Sequence, residues 1–561
     1  MCQNPEKDSV NNPTLSNFNP NYYGWDKGIQ QLTPTQDLSK ESWVRLEATN
    51  TRQAFTDQVI RFEFDQIGML DPKSVFLTFN VQNTGYWNGG SRNVAFSSDI
   101  RSVFSRMRLL YGRTCILEDI QDYGSFCNLV SSQRQRVDEA FTSGAILNGT
   151  ATLNSVSNLT FGTCDRSHYH NHNNSNITNA PLGNVPRRYI IRLNCGLFEQ
   201  EKWLPLFNMQ EKLILELTVA DPRWCSFLLN AVNAGVSGPN AVPPPNSNLV
   251  FNRGICVSLP EIQYRRQNIE PIIQTKLESM LNSNQVAFQY ISFYHQRFPL
   301  NVYNKKHVLK VPAIKKRILY AVAFLRNDEE RSQYLSDPMG TYCALDPRIG
   351  YNYTGANPNY DYDGPKRTLL RNYQWRYNGQ HFPEKPIRVC EGAHNLSTAG
   401  TGSTVLDGTL TYTGIPVEAV QYANYVLKNS LYTTLSHEAG VPGLIDNFGP
   451  NIVQFSKQNN TGGNSDAAIN SSLAIRAYIS SLPIVGKFYT EHMDGSTIFA
   501  LDGTTNNGCL ELILDFNDAF RYQVSELLTF PGNEPKMVVD VWVAYDSILN
   551  VDINNNIVLD Q

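Results

Sequence analysis

The residues best suited to chemistry in this 561-residue chain lie in two short runs of metal-ligand type. In His168-Tyr-His170-Asn-His172 three imidazoles stand at alternate positions, so an extended backbone projects all three from one face, close to Cys164 and Asp165. Same-face neighbours on a strand are about 7 Å apart, which suits two imidazoles chelating one transition-metal ion better than three. The run sits in a stretch rich in Ser, Thr, Asn and His, where a solvated loop is the simpler expectation. Asn359-Tyr-Asp361-Tyr-Asp363-Gly364 places oxygen ligands at positions 1, 3 and 5 and glycine at 6, like the opening of a calcium loop. Its twelfth position is Leu370, where a bidentate Glu is required, so an EF-hand is excluded. The alternatives there are a weaker calcium turn and a Tyr-rich surface loop. No metal site is assigned to either run, and no cofactor is expected.

Catalytic signatures are weaker still. The chain has no Gly-x-Ser-x-Gly elbow, no phosphate loop and no His-Glu-x-x-His; Ser436-His-Glu-Ala-Gly440 lacks the second His. No acid–base pair can be named among the 51 acidic residues, and an enzyme is not expected. A formal charge of −4, from 47 basic and 51 acidic residues with no long single-sign block, gives no footprint for sequence-specific nucleic acid. No cationic leader with an apolar run opens the chain, and no run of about 18 apolar residues occurs, so neither export by an ordinary signal nor a membrane span is expected. The ten cysteines are scattered without CxxC spacing and read as buried thiols of a reducing compartment.

The elements that would position any site are strands. Lys212 to Ala220 and Leu510 to Phe516 repeat one grammar: Leu213, Leu215, Leu217 and Val219 share a face in the first, and Leu510, Leu512, Leu514 and Phe516 in the second. Each is followed by a further strand run, Ile255 to Tyr264 and Val538 to Tyr545, which suggests one β-domain built twice. Roughly one residue in ten is Asn, a residue of turns and loop tips.

Residues 1–40 lack any period and read as an extended arm; 41–268 form a first β-domain, 269–283 a linker helix, and 284–561 a second β-domain with a closing hairpin. Further strands are expected at Trp43 to Ala48, Val59 to Phe64, Val75 to Val81, Val103 to Gly112, Tyr189 to Leu193, Val286 to Tyr294, Ile318 to Leu325, Tyr373 to Gly379 and Ala474 to Ile479. Apolar spacings of three and four predict helices at Glu118 to Val130 and Pro416 to Leu435. Long polar loops span 140–186 and 335–367.

The order of these passages resembles the double jelly-roll major capsid proteins of the adenovirus-like and tailless-phage lineage, and most closely those of polinton-like viruses and virophages. The likeness is carried by Val103-Phe-Ser-Arg-Met-Arg-Leu-Leu-Tyr-Gly112 before Glu118-Asp-Ile-Gln-Asp-Tyr123, and by Leu197-Phe198 with Trp203-Leu-Pro205 before Leu213. It continues in Gln374-Trp-Arg-Tyr-Asn-Gly379 with His381-Phe-Pro383, and in Asp502 to Gly508 before Leu510. The resemblance implies an all-β fold of two tandem eight-stranded jelly rolls with a few short helices and long loop insertions. It further implies a homotrimer with a pseudo-hexameric outline that tiles an icosahedral shell in the virion. Its partners would be neighbouring capsomers, penton and minor capsid proteins, and a membrane beneath the shell. The alternative class is a glycan-binding β-sandwich adhesin using loop tyrosines such as Tyr351, Tyr353, Tyr360 and Tyr362.

Overall fold

The computed structural model describes residues 41–83, 86–87, 93–96, 100–124, 126–127, 168–170, 186–221, 226–229, 251–252, 254–269, 274–275, 278–279, 287–301, 304–327, 370–389, 418–419, 422–423, 425–426, 484–491, 497–504, 509–516, 537–551 and 557–561. Among the described residues sixteen principal strands frame two sandwiches, with shorter strands at their margins. The first has β1 (Glu41–Glu47), β2 (Val59–Glu63), β3 (Phe76–Asn83), β4 (Phe104–Tyr111), β5 (Cys115–Gln121), β6 (Arg187–Arg192), β7 (Leu213–Val219) and β8 (Ile255–Gln267). The second has β9 (Ala287–Pro299), β10 (Lys306–Val311), β11 (Ile318–Asn327), β12 (Leu370–Tyr377), β13 (Gln380–Arg388), β14 (Ile484–Lys487), β15 (Leu510–Phe516) and β16 (Met537–Val551).

The sheet orders are the same in both halves. In the first, β1, β8, β3 and β6 lie side by side in one sheet, and β2, β7, β4 and β5 in the other. In the second, β9, β16, β11 and β14 form one sheet, and β10, β15, β12 and β13 the other. With the eight strands of each half lettered B to I in chain order, both read B-I-D-G and C-H-E-F, the order of a jelly roll.

Leu213 to Val219 and Leu510 to Phe516 therefore correspond in space as well as in sequence: each is the H strand, between C and E. Their shared faces, Leu213, Leu215, Leu217 and Val219, and Leu510, Leu512, Leu514 and Phe516, are buried. The opposite faces carry a matching ion pair. Glu216 faces Arg108 on the E strand at 3.2 Å, and Glu511 faces Arg376 on the other E strand at 2.5 Å. The Arg106/Arg108 face is thus neutralised in place, since Arg106 also pairs with Asp119 through Nε at 2.7 Å.

Turn chemistry fixes the register of the hairpins. Asn378 and Gly379, both at positive φ, make the two-residue turn between Tyr377 and Gln380 that suits the twist of adjacent strands. On β8 the register shifts between Ser258 and Glu261, where Leu259 takes positive φ ahead of Pro260; a bulge lets the strand carry a proline it could not hold in regular pairing.

The expected hairpin at the end of the chain forms, with Ile557–Asp560 paired to Ile548 through Val551. Helical backbone appears within two predicted segments, at Gln274, Thr275, Glu278 and Ser279 and at Glu418, Ala419, Tyr422, Ala423, Tyr425 and Val426. The helix expected over Glu118 to Val130 is corrected: Cys115–Gln121 is a strand paired with β4, and helix begins only at Tyr123. The break falls at Asp122, whose positive φ ends the strand and whose carbonyl accepts the Phe126 N–H at 3.1 Å. The strand expected at Ala474 to Ile479 lies outside the described residues.

Candidate functional site at the joint of the two sandwiches

Of the two metal-ligand runs only His168–His170 falls among the described residues. His168–His170 is a short strand paired with Val94 through Phe96, while His172, Asn359, Asp361 and Asp363 lie outside the described residues. The polar chemistry that the structure does bring together sits where the first sandwich meets the second.

The joint is built on two edge strands, β5 and β9, with the four-residue helix α1 (Gly196–Glu199) between them. Its apolar part is continuous with the first core: Phe288, Tyr290, Phe293, Tyr320, Trp542 and Ala544 of the second sandwich join the first sandwich's cluster. Phe126 meets Phe293 at 4.6 Å between ring centroids, within the range for favourable aromatic pairs. The other face of the same sheet, with Ala321, Ala323, Val539, Val541 and Val543, packs into the second sandwich's own core. This sheet is buried on both faces over much of its area, which is why Val538 to Tyr545 is almost continuously buried.

Within this apolar contact lies a small polar centre. The buried Glu118 on β5 accepts the Gly196 N–H at 2.9 Å and the Cys195 thiol at 3.0 Å. Burial pushes its carboxyl up to about 7 against the opposing pull of those hydrogen bonds. Burial, followed by the charge of Glu118, holds the Cys195 thiol well above its ordinary value, so it serves as a donor rather than a nucleophile. Tyr290 on β9 donates to the Leu117 carbonyl at 3.0 Å, and Lys202 Nζ to the Ala287 carbonyl at 2.7 Å. Gly196 has a packing reason: a β-carbon there would run into the Ile291 carbonyl of β9. Gln561 spans the same joint, donating to the Leu117 carbonyl at 3.3 Å and accepting from Lys315 at 2.8 Å.

A second polar cluster closes the rim. Asp122 of the first sandwich and His295 and Asp540 of the second converge closely enough to hold a cation. The cation they hold is Arg297: its guanidinium contacts Asp122 and meets Asp540 through Nε at 2.8 Å, while His295 lies 3.0 Å from Asp540 and stacks on Trp542 at 4.7 Å. The arrangement is an ion lock between domains, with the guanidinium filling the space a metal would need.

Sequence reasoning assigned none of these residues to a joint, although Glu118 to Tyr123 and Leu197-Phe198 stood out as passages of the chain. One signal was present: β16 is apolar at consecutive rather than alternate positions, as expected of a strand covered on both faces. The cysteines divide: among the described ones Cys127, Cys195 and Cys256 are buried, Cys115 and Cys509 half-buried.

Two consecutive sandwiches with one strand order, joined through an apolar contact with polar groups set into it, define a double jelly-roll protein. No protein-family model matches the chain, and no curated protein matches it in sequence. Solved structures align along nearly its whole length. The mavirus major capsid protein is 9% identical, covering 97% of this chain and 95% of its own at a TM-score of 0.41. The Faustovirus major capsid protein is 7% identical, with 91% and 90% covered at 0.45. The Sputnik virophage structure is 11% identical, with 95% and 92% covered at 0.42. The fold assignment rests on the strand order of this chain itself.

Proposed function

We propose that this chain is the major structural protein of an icosahedral virus shell, trimerising into capsomers of pseudo-hexagonal outline. The observation that carries the reading is the exact repetition of strand order in two sandwiches locked at one angle. Three copies of such a two-lobed subunit present six similar lobes around an axis, and six similar lobes tile a hexagonal lattice more evenly than three. A hinged pair of domains could not do this; the apolar joint, Glu118 centre and Arg297 lock favour a fixed angle. The sequence resemblance points the same way, and the one His/Asp cluster of metal-ligand type among the described residues has the Arg297 guanidinium against two of its members.

The role is architectural, in the virion. Neighbouring capsomers, penton and minor capsid proteins, and a membrane beneath the shell are the partners this reading implies. Residues 1–40 would contact those neighbours. Deleting them is expected to leave soluble trimers that fail to assemble into shells; normal shells from the truncated chain, seen by electron microscopy, would refute that role.

A further inference from the structure

The joint inside the chain covers one edge of each sandwich and leaves the opposite edges open. It seats the F strand and the connection after the G strand of the first sandwich on the B strand of the second. The chain holds one more edge of each kind: the B strand of the first sandwich, β1, and the F strand of the second, β13.

Burial separates the used edges from the unused ones. On β5, Leu117, Glu118 and Ile120 are buried, whereas on β13 only Ile387 is. On β9, Phe288, Tyr290, Ser292 and Phe293 are buried; on β1 no residue is, and even the inward-facing Val44 and Leu46 are only half-covered. The connections after the G strands differ likewise. In the first sandwich α1 is pressed on Ile291; in the second, the hairpin Tyr489–Glu491 with Thr497–Ala500 presents Phe499 at 70% exposure. On β1, Trp43 is 65% exposed. Two large aromatics in water, Trp43 on an edge strand and Phe499 on the connection after a G strand, each at a place whose counterpart is covered, mark an incomplete interface.

We propose that the β1 edge of one copy is covered by the β13 side of a second copy, with Trp43 and Phe499 as the aromatic anchors. The inference rests on the capsomer reading and names its contact. The occupant is a second copy because the chain already shows this pairing of F side on B strand within itself. The contact is head-to-tail, using different surfaces on the two partners, and so closes into a ring when the rotation returns to the start. Its surroundings are more polar than those of the internal joint. Arg45 and Glu47 are exposed beside Trp43, and Glu384, Lys385 and Arg388 along β13, giving both signs on both sides.

The test is native mass spectrometry of full-length Trp43→Glu, Phe499→Glu and their equimolar mixture, at a concentration where the unsubstituted chain is fully trimeric. Both sites are exposed, so each variant is expected to remain a folded monomer with a cooperative thermal unfolding transition. Each alone is expected to lose the trimer, and the mixture to form one-to-one dimers, because each variant retains the surface the other lacks. Trimers from either variant alone would overturn the proposal, as would a mixture that stays monomeric. An unsubstituted chain that is itself monomeric would remove the capsomer reading as well, a result distinct from either.

Discussion

Glu118 is an ionisable group placed where ionisation is costly. Its carboxyl is raised from an ordinary 4.5 to about 7 in the folded chain, so its contribution to stability is fully present below about 4.5 and lost as pH rises through 7. The melting temperature of the unsubstituted protein should therefore fall between about pH 4.5 and 7, and level off above that, relative to Glu118→Gln, which cannot titrate. Calorimetry across that range checks this; parallel profiles for the two proteins would show that Glu118 does not titrate there. Arg297 has the opposite character, a charge whose removal is the problem. Arg297→Met leaves the buried Asp540 with His295 alone and is expected to cost about 1–3 kcal/mol in urea titration, as for a buried acceptor that loses a partner, because the guanidinium itself is half-exposed. Arg376→Met, on a half-exposed pair with Glu511, should cost only about 0–1 kcal/mol by the same urea titration. Gly196→Ala is expected to destabilise by roughly 1–3 kcal/mol, because the added methyl meets backbone that cannot rotate away.

The strands that were legible in the sequence are those whose burial is decided within one sandwich. On β7 and β15 the period of two is complete and their ends were placed within one residue. On β10 the pattern Lys306-His-Val-Leu-Lys-Val311 alternates as cleanly, but its first buried position is His307, which reads as polar until its Nε2 is found 2.9 Å from the Asn304 carbonyl. The strand β13, with Pro383 and Pro386, has no apolar period at all and is held only as a sheet edge. The error over Glu118 to Val130 has a related cause. Ile120, Tyr123, Phe126 and Cys127 do share helical spacing, yet the first belongs to a strand and the others follow a reversal at Asp122. The joint stayed hidden because its residues come from segments far apart in the chain, and Glu118, Asp122 and Arg297 look like surface charges until the two sandwiches meet. A strand-level consequence follows for the cores: Leu217→Ala and Leu512→Ala, each next to the matched glutamate of its H strand, should each cost about 2–5 kcal/mol in chemical denaturation.

At the level of the subunit, the duplication explains the asymmetry of its surfaces. One F side and one B edge are consumed in holding the halves together, and the remaining pair faces outward with Phe499 and Trp43 exposed. In the proposed capsomer such two-lobed subunits meet head to tail through these two surfaces, and the ring closes at three copies and six lobes. Native mass of the purified protein, read together with negative-stain images of the same sample, tests this most directly. The account predicts a particle of three 63.3 kDa chains with a six-lobed outline; a single 63.3 kDa chain with two lobes at working concentration would contradict it.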